Sequence, residues 1–442
     1  MLIPLKSLLC TALLLGLPVL AQNMNSVRSQ SYEVAVLGDV EGQGKRLHSF
    51  LAGSGVFTRT AGGAWELLSN KAVVFQGDAN DRGENNREIL EFWIQLKEKY
   101  PDRVTLLIGN RDVFKLALIT DLSDAAMLLP NPRYEKWLDD KGLNTPAERS
   151  NKIRKLQWIY EKNMGTKEGF EQRRRELQHV DGTPASDQDI VQSFFEDLKP
   201  NGLWARYLRL AQLAFVDNSV KTLFVHGSVN EKNLGYVPGQ DKKIHNVRDW
   251  VVTLNAWAHQ QILAGLDSQG TVNGAQDLLN YSRAAPESVV NSRFEDARGY
   301  PELPAGSVIE SLIAQDIYRI SVGHTPTGEY PILARKGLFQ LLLTDASYNE
   351  SETSPIIKLW RNSLNSWAFT PKYGPVQIEI DFANSDQIGL HTWDRRLVIG
   401  RSKGRYLLYK LGPNFSRDYS FESETSLHSI LQSKACSEVL QK

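Results

Sequence analysis

The chain has 442 residues, of which 41% are hydrophobic and 23% are charged, and this composition excludes a disordered or fibrous protein. The 51 basic and 51 acidic residues balance, which argues against a dedicated nucleic-acid-binding protein, since that class usually has a basic excess. The short basic run at residues 173–175 lies in a strongly charged, helix-like stretch and is interpreted as a solvated face.

Residues 1–21 have the pattern of a cleavable secretory signal. Lys6 precedes an apolar run at residues 8–20, and Ala21 supplies the small residue after which cleavage is expected. The run is too short to span a bilayer, so we expect an exported protein, periplasmic or secreted, with no stable membrane insertion after cleavage. An uncleaved anchor or a buried helix is the alternative. Cleavage would remove Cys10 and leave Cys436 alone, which excludes an internal disulfide.

Three apolar segments, each followed by a polar turn, come after the N-terminal region. They lie at residues 33–37, 72–75 and 104–108. Residues 56–68 are a turn-rich connection, and residues 85–99 have apolar side chains at three- and four-residue spacing, which predicts an amphipathic helix. This succession predicts a largely parallel sheet whose polar turns share one edge.

Two long insertions interrupt the remaining strand pattern. Residues 114–218 have a mostly helical pattern, with residues 204–215 as one of the clearer helical segments, and residues 230–312 form the second insertion. Both are too long for plain loops. We expect them to pack on one core as a helical cap.

Further strands are predicted at residues 222–225, 317–322 and 338–343. Alternating runs from Val376 onward predict antiparallel strands, and a short helix is predicted from Thr425. We therefore expect an α/β fold in which two sheets form a β-sandwich flanked by helices. Its main domain is predicted at residues 32–375, with residues 376–442 packed on the same core.

Polar residues at the ends of the predicted strands have the chemistry of a metal site. Asp39, Asp78, Asn110, His226 and His324 each follow an apolar run. Carboxyl ends of parallel strands meet at one sheet edge, so these side chains are expected to lie together. Oxygen donors combined with imidazoles suit Mn, Fe or Zn, and a bridging carboxylate suits a two-metal centre.

The motifs around these residues resemble those of the metallophosphoesterases, and within them the phosphoprotein-phosphatase branch related to calcineurin. The branch motifs read Gly-Asp-x-His-Gly, Gly-Asp-x-x-Asp-Arg-Gly, Gly-Asn-His-Glu, His-Gly and Gly-His. This chain has, in the same order, Gly38-Asp39-Val40-Glu41-Gly42, Gly77-Asp78-Ala79-Asn80-Asp81-Arg82-Gly83, Gly109-Asn110-Arg111-Asp112, His226-Gly227 and Gly323-His324. The resemblance covers roughly residues 32 to 350 and implies a metal-dependent phosphatase.

The resemblance also implies roles for individual residues. Asp39 and His324 would hold one metal, Asp78 would bridge, and Asn110 with His226 would hold the second. Two arginines would bind the phosphoryl group, because a planar guanidinium matches phosphoryl oxygens. These are Arg82 and Arg293.

The first departure from the family pattern is Glu41, where the family has a metal-binding histidine. A carboxylate can replace an imidazole as a metal ligand and would shift the preference towards Mn or Mg. The alternative is that Glu41 points to solvent and the first metal is weakly held.

The second departure is Arg111, where the family has the histidine that protonates the leaving group, followed by Asp112 in place of Glu. Arginine stays charged and cannot donate a proton, although it can stabilise developing negative charge. We therefore hypothesise a preference for substrates with good leaving groups, including phosphotyrosine.

Asp81 is expected either to pair with Arg111 or to serve as a helix-start carboxylate. Asp345 is expected either to support His324 or to act as a turn residue.

Three functions remain open from the sequence. The first is hydrolysis of phosphoproteins carrying phosphoserine, phosphothreonine or phosphotyrosine. The second is hydrolysis of a small phosphate ester or a dinucleoside polyphosphate in a pocket walled by the cap. The third is a degenerate phosphatase that binds a phosphorylated ligand without turnover, which Glu41 and Arg111 motivate.

Overall fold

Two β-sheets packed face to face, with helices on their outer sides, form the core of the protein. The structure is a computed structural model that describes residues 26–284, 286–347, 352–360, 363–370, 374–381, 387–412 and 416–439. The predicted signal lies outside these residues. Within them, no helix is both long and apolar enough to cross a membrane.

The strands observed in the described residues are, in chain order, β1 (Val27–Arg28), β2 (Glu33–Leu37), β3 (Phe57–Arg59), β4 (Trp65–Leu67), β5 (Lys71–Phe75), β6 (Val104–Leu106), β7 (Ala214–Asp217), β8 (Thr222–Val225), β9 (Arg319–Val322), β10 (Ile332–Lys336), β11 (Phe339–Leu343), β12 (Ile356–Leu359), β13 (Ser363–Thr370), β14 (Gly374–Asp381), β15 (Leu397–Ser402), β16 (Arg405–Leu411) and β17 (Arg417–Glu422).

The helices are α1 (Gly44–Gly53), α2 (Asn86–Lys99), α3 (Asn110–Asp121), α4 (Asp124–Met127), α5 (Pro132–Asp140), α6 (Pro146–Arg149), α7 (Lys152–Trp158), α8 (Gly169–Asp181), α9 (Asp187–Leu198), α10 (Leu203–Leu210), α11 (Val247–Leu266), α12 (Gln276–Arg283), α13 (Gly306–Ile313) and α14 (Glu424–Val439). One π-helical turn, Ile159–Asn163, continues α7.

The strands form a six-stranded sheet with the order β1-β7-β8-β9-β11-β10 and a nine-stranded sheet with the order β17-β16-β15-β14-β13-β12-β2-β5-β6. A small hairpin, β3-β4, lies in the stretch predicted as a turn-rich connection. The predicted domain boundary at residues 375 and 376 falls within a continuous sheet, because β13 pairs with β14 along its length.

The alternation of buried side chains explains how the two sheets pack. Val34 and Val36 of β2 belong to one core cluster together with Phe224 and Leu342 of the six-stranded sheet. Intervening residues such as Ala35 belong to the larger cluster that includes the helices. Strands that are buried on both faces have continuous apolar sequences, and β2 has such a sequence. The two packed sheets with flanking helices confirm the predicted α/β fold class.

Two predicted elements differ from the structure in their extent. The helical segment predicted at residues 204–215 is wrong in its second half, because α10 ends at Leu210 and β7 pairs antiparallel with β8. β6 ends at Leu106, and Leu107 instead forms an isolated bridge to Gln212. In both places a pairing partner distant in the sequence overrides the local pattern.

Candidate metal centre

The polar residues at the strand ends converge because both sheets direct parallel strands towards one edge. β2, β5 and β6 run parallel in the nine-stranded sheet, and β8, β9 and β11 run parallel in the six-stranded sheet. The first group leads into Asp39, Asp78 and Asn110, and the second leads into His226 and His324. The two sheets therefore contribute oxygen and nitrogen donors to a common site.

The turns after these strands bring backbone and carboxylates into close contact. A Cβ atom on Gly109 would clash with Asp78 Oδ1, and one on Gly323 would clash with Asp39 Oδ1. Asp78 has φ 51° and His324 has φ 54°, in the left-handed region. Such a backbone costs a non-glycine residue about 1 to 3 kcal/mol and persists only where the surroundings enforce it. The fold thus holds these residues in positions that the local chain would not adopt.

Asp78, His226 and His324 form a group, in the described part of the chain, whose candidate ligand atoms all lie within 4.8 Å of one another. His226 is fully buried, and its Nδ1 lies 2.7 Å from the carbonyl oxygen of Gln76. Donation from Nδ1–H to that carbonyl leaves the Nε2 lone pair available, as in metal-binding histidines. Nε2 lies 3.3 Å from Asn110 Oδ1 and 3.5 Å from Asp78 Oδ1.

Neighbouring buried carboxylates create a negative centre. Asp39 is 5% exposed and accepts the backbone N–H of His324 at 3.1 Å. Burial raises the pKa of Asp39 well above its usual value, and the charges of Asp345 and Asp78 raise it further. Burial would also raise the pKa of Asp78, but the charge of His226, its hydrogen bond and the charges of Arg111 and His324 together outweigh burial and keep that pKa low. Buried carboxylates that repel one another, with imidazoles beside them, fit a divalent metal ion.

Asp345 lies after β11 and acts as a turn residue, which was one of its two expected roles. Its Oδ1 accepts hydrogen bonds from the Ser347 hydroxyl at 2.6 Å and from the Ser347 N–H at 3.1 Å. Within the described ranges, no hydrogen bond joins Asp345 to His324. Instead, His324 Nε2 lies 3.3 Å from the carbonyl oxygen of Asn291.

The two departures from the phosphatase motifs contact each other. Glu41 is 2% exposed, so the alternative in which it points to solvent is wrong. Its Oε1 lies 2.9 Å from Arg111 Nε and 3.4 Å from Arg82 Nε, and its Oε2 accepts from the Ser347 hydroxyl at 3.0 Å. Burial raises the pKa of Glu41 to about 7, although the Arg111 charge opposes this. Glu41 thus binds arginine here, and its role as a metal ligand stays a prediction.

Arg111 is fixed by the first insertion as well as by Glu41. Its Nη1 donates to the carbonyl oxygen of Met164 at 3.0 Å and to the Thr166 hydroxyl at 3.3 Å. Its Nε lies 3.6 Å from Asp78 Oδ2. The helical insertion therefore contacts the site and helps to position Arg111.

Asp112 organises the backbone of the site. It accepts N–H groups from Gly109 at 2.8 Å, Asp78 at 3.0 Å and Ala79 at 3.1 Å, which caps α3 and ties it to the turn after β5. Burial and the charge of Asp78 raise the pKa of Asp112 to about 7. Its bonds go to backbone N–H groups, so it acts as a positioning residue.

The pairing of Asp81 with Arg111, one of its two predicted roles, is wrong. Asp81 instead forms an ion pair with Lys115, and the Tyr160 hydroxyl lies 3.5 Å from its Oδ1. Lys115 follows Arg111 by one turn of α3 and is 2% exposed. Lys115 was not predicted from the sequence, although its four-residue spacing from Arg111 places both side chains on one face of α3. Tyr160 had no local signal, because it comes from the distant insertion.

Arg293 lies at the open edge of the site. Its side chain is 41% exposed, and Nη1 lies 3.5 Å from Glu295 Oε1. Burial lowers the pKa of His324 to about 3, and the positive charges of His226 and Arg293 lower it as well. The charge of Arg293 therefore acts on His324, while its side chain remains accessible to solvent.

Comparisons with known proteins point to phosphatases over part of the chain. No family model matches the sequence. The chain is 30% identical over 108 residues, 24% of its length, to the serine/threonine-protein phosphatase 4 catalytic subunit of Candida glabrata. The matched stretch spans about a third (31%) of that relative.

Solved phosphatase structures show a more distant likeness. A cold-active protein-tyrosine phosphatase of a psychrophilic Shewanella species is 18% identical, with a TM-score of 0.46 and coverage of 78% of this chain and 80% of that one. A protein serine/threonine phosphatase from Saccharomyces cerevisiae is 13% identical, with a TM-score of 0.34 and coverage of 84% and 87%. The sequence match to a phosphatase catalytic subunit is the more informative of these similarities.

Proposed function

We propose that this protein is a metal-dependent phosphomonoester hydrolase that acts on phosphoproteins. The main support is the convergence of Asp39, Asp78, His226 and His324 at the shared edge of two sheets, where buried carboxylates and imidazoles face each other. The sequence similarity to a phosphatase catalytic subunit supports the same class.

Two divalent metal ions, of Mn, Fe or Zn, would be held by the strand-end residues. Asp39, Asp78 and His324 would hold one, and Asp78, Asn110 and His226 would hold the other. When bound, such ions supply positive charge to phosphoryl oxygens and lower the pKa of a bound water. Burial raises the pKa of Asp39 and the charges of Asp345 and Asp78 raise it further, and this supports the proposal because nearby positive charge would offset both effects.

The chain's own cations would orient and stabilise the phosphoryl group. Arg82 and Arg293 have side chains that are 30% and 41% exposed, which leaves them accessible to a substrate. Arg111, held by Glu41, would stabilise negative charge without donating a proton. Substrates with good leaving groups, phosphotyrosine among them, would therefore react faster than alkyl phosphates.

The decisive experiment is a metal-reconstitution assay. The purified chain is stripped of metal, and Mn, Zn, Fe or Mg is restored singly before assay on phosphopeptides, nitrophenyl phosphate, alkyl phosphates and dinucleoside polyphosphates. We expect metal-dependent turnover of phosphopeptides that Asp78→Asn abolishes. Undiminished turnover by Asp78→Asn would refute the two-metal proposal.

The other outcomes separate the alternatives. Preference for dinucleoside polyphosphates over phosphopeptides would favour a small-molecule hydrolase. Binding of a phosphate analogue without turnover in the presence of any metal would favour a degenerate binding protein. The observation that favours this alternative is the ion pair between Glu41 and Arg111.

We also propose that the protein is exported to a periplasmic or secreted location. The support is the signal pattern of residues 1–21. N-terminal sequencing of the chain recovered from its producing cells is expected to begin at Gln22. A mature chain that still begins at Met1 would contradict cleavage.

A further inference from the structure

A cavity walled mainly by the first insertion lies beside the candidate metal centre. None of the predicted metal ligands lines it, although Lys115, Tyr160 and Met164, which contact Asp81 or Arg111, do. It has a volume of about 670 Å³ and lies between α3, α7 and the π-helical turn. Its lining includes Phe114, Leu118, Leu156 and Trp158. Both the volume and the aromatic and aliphatic lining are typical of small-molecule sites, which add a few convergent polar groups to such walls.

Lys155 is a buried cation in the wall of this cavity. It is 7% exposed, and its Nζ lies 4.6 Å from the ring centroid of Tyr134 and 4.7 Å from that of Trp158. Within the described residues, Lys155 forms no ion pair. The two ring contacts compensate part of its charge, but a lysine this buried usually also has an anionic partner, because burial of a charge needs compensation. Burial accordingly lowers the pKa of Lys155, while the charges of Asp121 and Glu135 oppose the effect.

The other charges that line the cavity are mostly positive. Arg133 and Arg283 form no ion pair in the part of the chain that the structure describes. Lys162 and Lys115 are paired with Glu161 and Asp81, respectively. Asp121 is the carboxylate among the lining residues. The lining cations without an ion pair in the described residues, which are Lys155, Arg133 and Arg283, therefore outnumber it. The field inside the cavity therefore favours an anion.

Exposed leucines flank one side of the cavity, where the exposed Arg133 and Arg283 also line it. Leu129 lines it and is 59% exposed, and its neighbour Leu128 is 81% exposed. Exposed leucines next to a cation-lined cavity match a ligand that has an apolar body as well as a charge. A phosphate or acetate ion by itself would leave these leucines in water.

We propose that this cavity binds a small organic anion, a carboxylate or phosphate on an aromatic or aliphatic body, with its charge at Lys155. The proposal is independent of the phosphatase function. A carboxylate beside Lys155 would complete a buried ion pair, and the body would occupy the space between Phe114 and Trp158.

Calorimetric titration of the full chain with 2-naphthoate tests the proposal. The matched probes are 2-naphthalenemethanol, which has the same ring system without charge, and acetate, which has the charge without the ring. We expect naphthoate to bind at one site and Lys155→Met to weaken it about tenfold or more, since truncating one partner of a buried charge pair leaves the other charge buried and unpaired. Both other probes should bind much more weakly than naphthoate.

Two further variants make the result specific. Lys136→Met on α5 removes an exposed lysine that pairs with Asp140 and should leave naphthoate binding unchanged. Asp121→Asn removes the opposing negative charge and should tighten binding several-fold, and this variant decides the matter if Lys155→Met does not fold. Absence of naphthoate binding, unchanged affinity in Lys155→Met, or unchanged affinity in Asp121→Asn would overturn the proposal. The titration measures the heat of binding and does not depend on turnover. A negative result would therefore refute this binding site without bearing on the proposed phosphatase activity.

Discussion

At the scale of single residues, the two departures from the phosphatase motifs are one coupled change. Glu41 and Arg111 both stand where the phosphatase motifs that this sequence resembles have histidine, and in the structure they form an ion pair of 2.9 Å. Glu41 also lies 3.4 Å from Arg82, and Arg111 lies 3.6 Å from Asp78, but the ion pair that the two buried residues form with each other is the shorter contact for both. Each of the two residues therefore compensates the buried charge of the other.

This coupling predicts non-additive effects of reverting the pair to histidine. Arg111→His should destabilise the protein by about 3 to 5 kcal/mol, the cost of breaking a buried pair, with Arg82 offsetting part of it. Glu41→His with Arg111→His should lose less than the sum of the two single variants, by about 0.5 to 3 kcal/mol. Urea unfolding of the four proteins measures this cycle. Additive losses would show that the two residues are independent.

Breaking the buried ion pair of Lys115 and Asp81 should lower the free energy of unfolding more than breaking an exposed ion pair does. Lys115→Met leaves Asp81 buried without its cation, and we expect a loss of about 3 to 5 kcal/mol in the free energy of unfolding. Lys136→Met, which removes an exposed pair with Asp140, should cost about 1 kcal/mol or less. Adding Asp81→Asn to Lys115→Met should recover part of the loss. Equal costs for the two lysines in chemical denaturation would contradict this prediction.

At the scale of elements, the turns after the strands set the site because their glycines admit close backbone approach. The turn before α3 places Gly109 against Asp78, and the turn after β9 places Gly323 against Asp39. The first insertion also helps to position the site, since the carbonyl oxygen of Met164 accepts a hydrogen bond from Arg111. Turns and insertion thus hold opposite sides of the same group of residues.

Substitution of one of these glycines should therefore damage the site. Gly109→Ala places a methyl group against Asp78 Oδ1 and should strongly reduce both stability and any metal-dependent turnover. Gly306→Ala is the matched control, because its Cβ would meet no atom within 4 Å and it lies at the start of α13. That variant should be neutral or more stable by about 0.4 to 1 kcal/mol. Thermal unfolding and the phosphatase assay compare the two, and wild-type behaviour of Gly109→Ala would contradict the expected clash.

At the scale of the whole molecule, metal binding is expected to be linked to stability. Burial raises the pKa of Asp39, Asp345 and Glu41, and the charges of neighbouring carboxylates raise each of them further, so a nearby cation would stabilise the charged forms. Mn²⁺ that binds only the folded state should stabilise it by about 2.7 kcal/mol at a hundredfold excess over Kd. The measurement is Tm with Mn²⁺ against Tm with a chelator. Asp78→Asn should abolish the difference, and an unchanged Tm in the wild type would contradict the linkage.

The sequence by itself determined the strands that lead to the site and the residues at their ends. Apolar runs that break into Gly-Asp, Gly-Asn or Gly-His turns are local signals, because both strand burial and turn geometry depend on neighbouring residues. Periodicity also predicted α2 and the helical character of the first insertion. It failed at β7, where antiparallel pairing with β8 decided the structure.

Only the tertiary structure decided which side chains pair within the site. Glu41 contacts Arg111 and Ser347, and Asp81 contacts Lys115 and Tyr160, although the sequence suggested a different partner for each carboxylate. Several of these partners come from segments far apart in the chain. Their pairing follows from burial, because each charge removed from water needs whichever opposite charge or hydrogen-bond donor the packed elements bring within reach.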